Sequence, residues 1–274
     1  MKAARFDYMR PASVAEACRR LREGGGMAKA IGGGQSLGPM MNLRLVQPDL
    51  LIDLRGLAEL RESEAGAHEV TLGAALTHAA IEDACIDDPT QGLLPHVAAG
   101  IAYRAIRNRG TLGGSLAHAD PAADWVNLMP LLDAQIRVEG PAGPRGVAAA
   151  DWMIGAFTTA LQEDELVTAV RIARFGPGAR WSYYKVQRKP GEFADALAGF
   201  IQDPARGICR GLVGATDGRP HVFAAGPLLA AWDADLAHAE LRAAGLASGT
   251  YEYRVHAVAL ERAAAQIREG GATA

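Results

Sequence analysis

Two short stretches of this chain combine residue types able to hold an anion. Gly32, Gly33 and Gly34 follow the apolar run 27–31 and lead into Gln35, Ser36 and Leu37. Three glycines in succession favour neither helix nor strand. They do permit positive φ and a close approach of backbone N–H groups to a ligand, the geometry that cradles phosphate oxygens. The segment 110–115, GTLGGS, carries similar chemistry. The expectation is one diphosphate gripped between the two loops.

The first loop also spells a different chemistry. Gly34-Gln35-Ser36-Leu37-Gly38 matches the G-x-S-x-G nucleophile elbow of serine hydrolases. That motif needs a preceding strand, a following helix and an oxyanion-hole segment upstream. Only 33 residues precede it, and Pro39 is expected to interrupt the helix. A Ser36 nucleophile is therefore a remote alternative. No Gly-Lys-Ser/Thr follows either glycine group, and neither fits G-x-G-x-x-G. A glycine triplet alone is more often a tight turn. Two such loops, each after an apolar segment and one ahead of Asp120-Pro121, favour an anion site.

Composition narrows the class. The 274 residues are 49% hydrophobic and 22% charged, with a formal net charge of -3, as expected of a soluble globular protein with a substantial core. The mild acidity and the lack of a basic block give no support for nucleic-acid binding. No apolar run reaches the ~18 residues that span a bilayer. The segment 1–10 lacks the apolar stretch of a signal peptide, so a cytoplasmic location is expected. Cys18, Cys85 and Cys209 are far apart in the sequence. They cannot by themselves ligate a 2Fe-2S cluster or a structural zinc, and read as three buried small residues.

The elements that must position the loops can be read in chain order. Residues 6–9 suggest a short strand, and Ser13 with Glu16 has capping-box spacing for a helix to about residue 22. Strands at 27–31 and 50–54 complete a β-α-β-β unit. A hairpin is expected from 59–63 and 69–72, with helices over 77–84 and 93–101. Residues 115–118 read as a short strand, and Asp120-Pro121 as N-cap and first residue of a helix carrying Trp125, Leu128, Met129 and Leu132 in its core stripe. A hairpin over 135–149 follows. From residue 166, strands at 166–172, 180–186, 196–202, 207–214 and 221–225 predict an antiparallel meander with a turn at Asp217-Gly218. Helices over 228–244 and 252–268 close the chain.

Three segments carry a family resemblance. IGGGQSLGPMMNLRLVQPDLLIDL (31–54) and IRNRGTLGGSLAHADPAADW (106–125) resemble the two FAD signatures of the medium, flavin-binding subunit of molybdenum hydroxylases, the carbon monoxide dehydrogenase and xanthine dehydrogenase family. YYKVQRKPGEFADA (183–196) is similar to that family's lysine-containing strand and flavin-contacting turn. The resemblance spans essentially the whole chain.

It implies an α+β fold: a two-part FAD-binding domain of the PCMH / vanillyl-alcohol-oxidase type, then a C-terminal antiparallel sheet with helices. The implied units are 1–56, 57–175 and 176–274. Ile31, Gly32, Gly33, Gly34, Gln35, Ser36 and Leu37 would wrap the FAD diphosphate from one side, and Thr111, Gly113, Gly114 and Ser115 would close it from the other. Ile101 and Val167 would supply apolar contacts, Val167 on the adenine side, and Lys185 would lie near the cofactor. Asp124 falls where the family has a carboxylate on the adenosine ribose; it also reads as a first-turn acid favoured by the helix dipole. Asp120 reads as N-cap first and ligand contact second. Phe193 would sit beside the isoalloxazine ring and shape access to its reactive edge. Ser115 replaces a frequent amide and Glu192-Phe193 a more usual Asp-aromatic pair, often with tyrosine, which leaves the electron acceptor open.

The implied protein is an FAD-dependent oxidoreductase subunit that holds no metal. It would pass electrons from a small 2Fe-2S subunit, fed by a large molybdenum-cofactor subunit, to an external acceptor, within a dimer of heterotrimers. A stand-alone FAD-dependent reductase and an FAD-binding assembly factor of the same fold are the alternatives.

Overall fold

The structure is a computed structural model that describes residues 2–270; Met1 and residues 271–274, at the ends of the first and last expected units, lie outside the described residues. Strand β1 (Asp7–Met9) leads into helix α1 (Val14–Gly24), where Ser13 accepts the Glu16 N–H at 3.1 Å. The Glu16 carboxylate reaches back to the Ala12 N–H at 2.7 Å, one residue earlier than a strict capping box. Val14, Ala17, Cys18 and Leu21 form the buried face of α1, packed with Ile52, Leu57 and Leu60.

Strand β2 (Ala28–Ile31), helix α2 (Leu37–Asn42) and strand β3 (Leu50–Asp53) follow. The sheet order is β1-β3-β2 and every pairing is parallel. Parallel neighbours finish at the same edge, so the glycine loop leaving β2 emerges beside Asp53 at the end of β3. Helix α2 corrects the expectation at Pro39. The proline is the third helical residue, where the missing N–H would have had no intrahelical acceptor.

The second unit contains β4 (Ser63–Ala65), β5 (Glu69–Gly73), α3 (His78–Glu82), α4 (Leu93–Ala99), α5 (Arg104–Arg107), α6 (Leu112–His118), α7 (Asp124–Leu131), β6 (Gln135–Gly140), β7 (Gly143–Ala148), α8 (Ala149–Trp152), β8 (Met153–Gly155), β9 (Thr158–Thr159) and β10 (Leu166–Ala173). Its main sheet runs β4-β5-β10-β6-β7. Strand β10 is thus the centre of this sheet and not the first strand of the C-terminal meander. Its antiparallel partners lie far back in sequence (Val170 faces both Leu72 and Ile136), a pairing that no local pattern announces. Residues 59–63 form a 3-10 turn (Ala58–Leu60) and only the start of β4. Residues 115–118, expected as strand, are the end of α6. Trp125, Leu128, Leu116, Ile136 and Trp152 fill the core beneath the sheet.

The C-terminal unit is an antiparallel meander, β11 (Arg180–Val186), β12 (Ala196–Asp203), β13 (Ile208–Gly214) and β14 (His221–Ala224), in that spatial order. Helices α9 (Gly226–Ala230), α10 (Ala234–Ala243) and α11 (Tyr251–Arg268) follow. The single helix expected over 228–244 is split because Asp233 takes up a new N-cap, accepting the N–H groups of Asp235 and Leu236. Helix α11 packs Leu260, Ala263 and Ile267 onto Phe200 of the sheet.

Of the three cysteines only Cys18 is fully buried, and burial pushes its thiol up to about 11. Cys209 is partly buried. Cys85 is exposed, against expectation, because the chain turns outward after α3 through Ala84 at φ 52°. Among the described residues no helix is long and apolar enough to cross a membrane.

Candidate functional site

The loop between β2 and α2 leaves its donors unused. Among the described residues, the backbone N–H groups of Gly33, Gly34, Gln35, Ser36 and Leu37 donate to no protein acceptor; the next amide, Gly38, closes the first helical turn onto the Gly34 carbonyl at 3.0 Å. Backbone N–H groups in folded proteins are almost always paired with something, so five consecutive free donors form an acceptor-seeking surface. Gly34 makes the turn at φ 73°. The Gln35 side chain folds back, donating from Nε2 to the Gly33 carbonyl at 3.1 Å.

The strand–turn–helix context of the hydrolase motif is therefore present. What it lacks is a base: among the described residues the Ser36 hydroxyl is hydrogen-bonded to no histidine or carboxylate. Ser36 is left as a hydroxyl at the mouth of the amide run.

The two glycine loops touch. A Cβ on Gly33 would stand 2.7 Å from the Gly110 Cα and nearer still to the Arg109 carbonyl oxygen. Only glycine permits that approach. The second loop differs in chemistry from the first, because its amides are spent. Leu112 donates to the Leu76 carbonyl and Gly113 to the Ala74 carbonyl, while Gly114 donates to Thr111 Oγ1 and Ser115 to the Thr111 carbonyl. Thr111 is thus the N-cap of α6, and the loop can present the Ser115 hydroxyl but few free N–H groups. A cleft of about 190 Å³ opens where Gly32 meets Thr111, walled by Arg55, Arg61, Asn108 and Arg109. Arg55 is engaged by Asp53, whereas Arg61 and Arg109 have no carboxylate partner among the described residues.

The other expected site residues fall into two groups. Asp124 and Lys185 meet in a buried ion pair at 2.8 Å, and Tyr183 donates its hydroxyl to the second Asp124 oxygen at 3.0 Å. Lys185 also donates to the Gly100 carbonyl at 3.3 Å. Asp124 is only 5% exposed; burial raises its pKa, against the pull of Lys185 and Tyr183. Burial likewise raises Tyr183, helped by the adjacent carboxylate. Asp124 thus stands in the first turn of α7 and is paired with Lys185. Asp120 does not cap α7: its carboxylate accepts the Ala122 N–H at 2.9 Å in a local turn, and the N-cap position is Ala123. Val167 is buried in the main core beside a β-bulge, and Ile31 is partly buried at the end of β2.

The segments that carry Ile101 and Phe193 meet at a second close contact, between Ala102 and Gly191. Arg107 donates to the Ile101 and Ala102 carbonyls at 3.0 and 2.8 Å while gripping Glu82. Gly191, in the β11–β12 loop, packs so tightly on Ala102 that a Cβ would stand 2.8 Å from its carbonyl carbon. Phe193, on the same loop, is 60% exposed.

Several supporting residues carried no recognisable sequence signal. His78 accepts the Trp125 indole N–H on Nδ1 at 3.0 Å, and its backbone N–H donates to the Gly110 carbonyl, tying α3 and α7 to the second loop. Burial, then the charge of Arg107, lowers its pKa to about 4, so the ring is neutral. Asn127 donates to the Pro121 and Ala123 carbonyls and accepts the Ala215 N–H, bridging α7 to the C-terminal unit. Asp53 is fully buried; burial pushes its pKa up, but Arg55 and Tyr8 outweigh this and hold it well below the usual range.

A parallel three-stranded sheet and an antiparallel five-stranded one, whose amide-lined and helix-capped loops touch, followed by an antiparallel meander with helices, define an α+β fold. Residues 4–174 match the family model described as the FAD binding domain in molybdopterin dehydrogenase. The chain is 38% identical over 192 residues, 70% of its length, to the carbon monoxide dehydrogenase medium chain of Hydrogenophaga pseudoflava, covering 67% of that protein. It is 38% identical to the nicotine 6-hydroxylase medium subunit of Paenarthrobacter nicotinovorans, covering 75% of this chain and 71% of that one. In three dimensions it matches a chain of carbon monoxide dehydrogenase from Hydrogenophaga pseudoflava with a TM-score of 0.86 at 31% identity, over 98% of this chain and 99% of that one. The chain belongs to the FAD-binding medium subunits of the molybdenum hydroxylase family, an oxidoreductase family. The residues present fit the cofactor, since five unpaired N–H groups at one turn are a donor set for diphosphate oxygens.

Proposed function

We propose that this chain holds FAD between its two glycine loops and relays electrons from a small 2Fe-2S subunit, supplied by a large molybdenum subunit, to an external acceptor. When bound, FAD supplies both one- and two-electron chemistry, which lets a single-electron donor be matched to a two-electron acceptor. The observation that carries the reading is the run of free amides from Gly33 to Leu37.

In this reading those amides and the Ser36 hydroxyl orient the diphosphate, while Gly33 lets the two loops meet and Gly32 lies beside Thr111. Thr111 fixes the start of α6, with Gly113 and Gly114 packed close and Ser115 adding a hydroxyl. Lys185, held by Asp124 and the Gly100 carbonyl, lies near the cofactor in this reading. Ile101 and Val167 provide apolar wall, and Phe193 shields or admits the acceptor at an exposed edge. Asp120 shapes the turn ahead of α7. The complex is a cytoplasmic dimer of heterotrimers.

The test is to purify the chain with whatever assembles on it and record the absorption spectrum, the flavin released by denaturation, and the iron and molybdenum content. Stoichiometric FAD with a cluster subunit and a molybdenum subunit is expected. FAD without partners would favour a stand-alone reductase or an assembly factor instead. A colourless protein labelled at Ser36 by a phosphonate would overturn the reading.

A further inference from the structure

In the cleft where Gly32 meets Thr111, the side-chain oxygens of the wall already accept hydrogen bonds. Thr77 Oγ1 accepts the Ala80 N–H as N-cap of α3, and Thr111 Oγ1 accepts the Gly114 N–H as N-cap of α6, both at 3.1 Å. Asn108 Oδ1 accepts the Arg104 Nε–H at 3.0 Å. What these three residues leave for a ligand is donors: two hydroxyl hydrogens and a carboxamide NH2. The two threonines stand opposite each other in an antiparallel bridge, flanked by the His78 to Gly110 and Leu112 to Leu76 backbone bonds. Directly opposed residues of such a bridge project to one face, so both hydroxyls meet the cleft together.

The charged part of the wall is entirely guanidinium, from Arg55, Arg61 and Arg109; among the described residues no carboxylate lines it. The fully buried Asp53 takes the Arg55 Nε–H and one Nη2–H at 2.9 and 2.8 Å, which fixes Arg55, balances its charge and leaves its Nη1 group unspent. The uncompensated charge is that of Arg61 and Arg109, and it matches a phosphate monoester dianion or a diphosphate. A carboxylate would leave one of those charges and most of the donors unmatched, whereas forked guanidinium groups suit the oxygens of a phosphoryl group. At about 190 Å³ the cleft is smaller than the roughly 300–1,000 Å³ of pockets that enclose a drug-sized ligand, so it receives one charged group of a larger molecule.

We propose that this cleft is a phosphoryl-binding site, in which Arg61 and Arg109 balance the charge of the group while Arg55, Thr77, Thr111 and Asn108 donate hydrogen bonds to its oxygens. That chemistry has two sources: the diphosphate of FAD, whose loop borders the cleft at Gly32, or the phosphate of a second ligand. R61Q and R109Q test the assignment in the full chain at low salt. The control is R219Q, at an exposed arginine between β13 and β14 that likewise has no carboxylate partner among the described residues. None of the three breaks a salt bridge, so melting temperatures in phosphate-free buffer should be unchanged. Calorimetric titration with inorganic pyrophosphate, on the flavin-free and on the FAD-loaded chain, is the readout. Each cleft variant should weaken pyrophosphate binding roughly fivefold or more, R219Q should not, and R61K and R109K should restore part of the affinity.

Pyrophosphate that competes with FAD, with weaker FAD binding by the cleft variants, would uphold the site and identify its occupant as the FAD diphosphate. Pyrophosphate bound alongside FAD would uphold it for a second phosphorylated ligand. No pyrophosphate binding to the flavin-free chain, unchanged affinity in R61Q and R109Q, or an equal loss in R219Q would overturn it. Only the FAD source rests on the reading above. A chain that never takes up FAD, yet loses pyrophosphate on substitution of Arg61 or Arg109, would overturn that reading and keep the phosphoryl site.

Discussion

At Gly33 and Gly38, five residues apart, the same added methyl group has opposite expected effects. Beside Gly33 it would collide with the Arg109–Gly110 backbone, whereas at Gly38, inside α2, nothing lies within 4 Å of it. Gly33→Val should therefore separate the two loops, lose FAD and destabilise the protein by about 1–3 kcal/mol, the usual cost of overpacking. Gly38→Ala should retain full flavin and gain up to about 1 kcal/mol from helix propensity. Chemical denaturation with bound-flavin quantification checks both. The glycine run itself is plain in the sequence; that Gly33 serves the loop–loop contact, not only the ligand, depends on a chain segment more than 70 positions away.

His78 gives a second prediction at this scale. Its folded pKa is about 4, below its ordinary 6.5, so protons bind the unfolded chain more readily. Its contribution is fully present above about pH 6.5 and is lost as pH falls toward 4, a change of about 3 kcal/mol. A ring-proton NMR titration should find His78 neutral down to that range; an ordinary titration near 6.5 would contradict the buried Trp125 hydrogen bond.

Between elements, the Asp124–Lys185 pair joins the first turn of α7 to β11, with the Gly100 carbonyl at the end of α4 as a third partner. Removing one partner of a buried pair strands the other charge. Lys185→Met should cost about 3–5 kcal/mol, and adding Asp124→Asn should recover much of it. Denaturant midpoints of the two single variants and the double variant check the coupling. Such a pair is invisible to local patterns, since the residues are 61 positions apart. Elsewhere local patterns did well: α1, the 135–149 hairpin and the four meander strands lie close to where capping, turn and alternation signals put them. Those signals failed where a backbone group had a competing partner. Residues 115–118 join α6 because Thr111 caps that helix three residues before Gly114. Asp120 folds onto Ala122 and leaves the start of α7 to Ala123.

For the whole molecule, the two loops belong to different sheets. The first leaves a parallel three-stranded sheet, and the second precedes a helix packed on the five-stranded one. A ligand held by both must favour the assembled arrangement over the unfolded chain. Free FAD at 100 times its dissociation constant should stabilise the protein by about 2.7 kcal/mol, and the melting temperature should climb with FAD concentration. Riboflavin, which lacks the diphosphate, should give a much smaller rise if the Gly33–Leu37 amides dominate binding. Calorimetric melts across both titrations decide this.

The sequence by itself determined the glycine loops, the family they belong to, the cofactor and most of the helices and strands. Each of these is written in short windows of residue type and spacing, where local sterics and capping act. Only the tertiary structure decided that β10 sits at the centre of the second sheet, that the second loop spends its amides internally, and that the first keeps five of them free. It also brought Asp124 together with Lys185 and Tyr183. These outcomes depend on which distant group reaches a donor or acceptor first, a competition settled by the packing of the whole chain. The two touching loops are therefore unlike: one leaves its N–H groups bare, and the other spends its own on the fold.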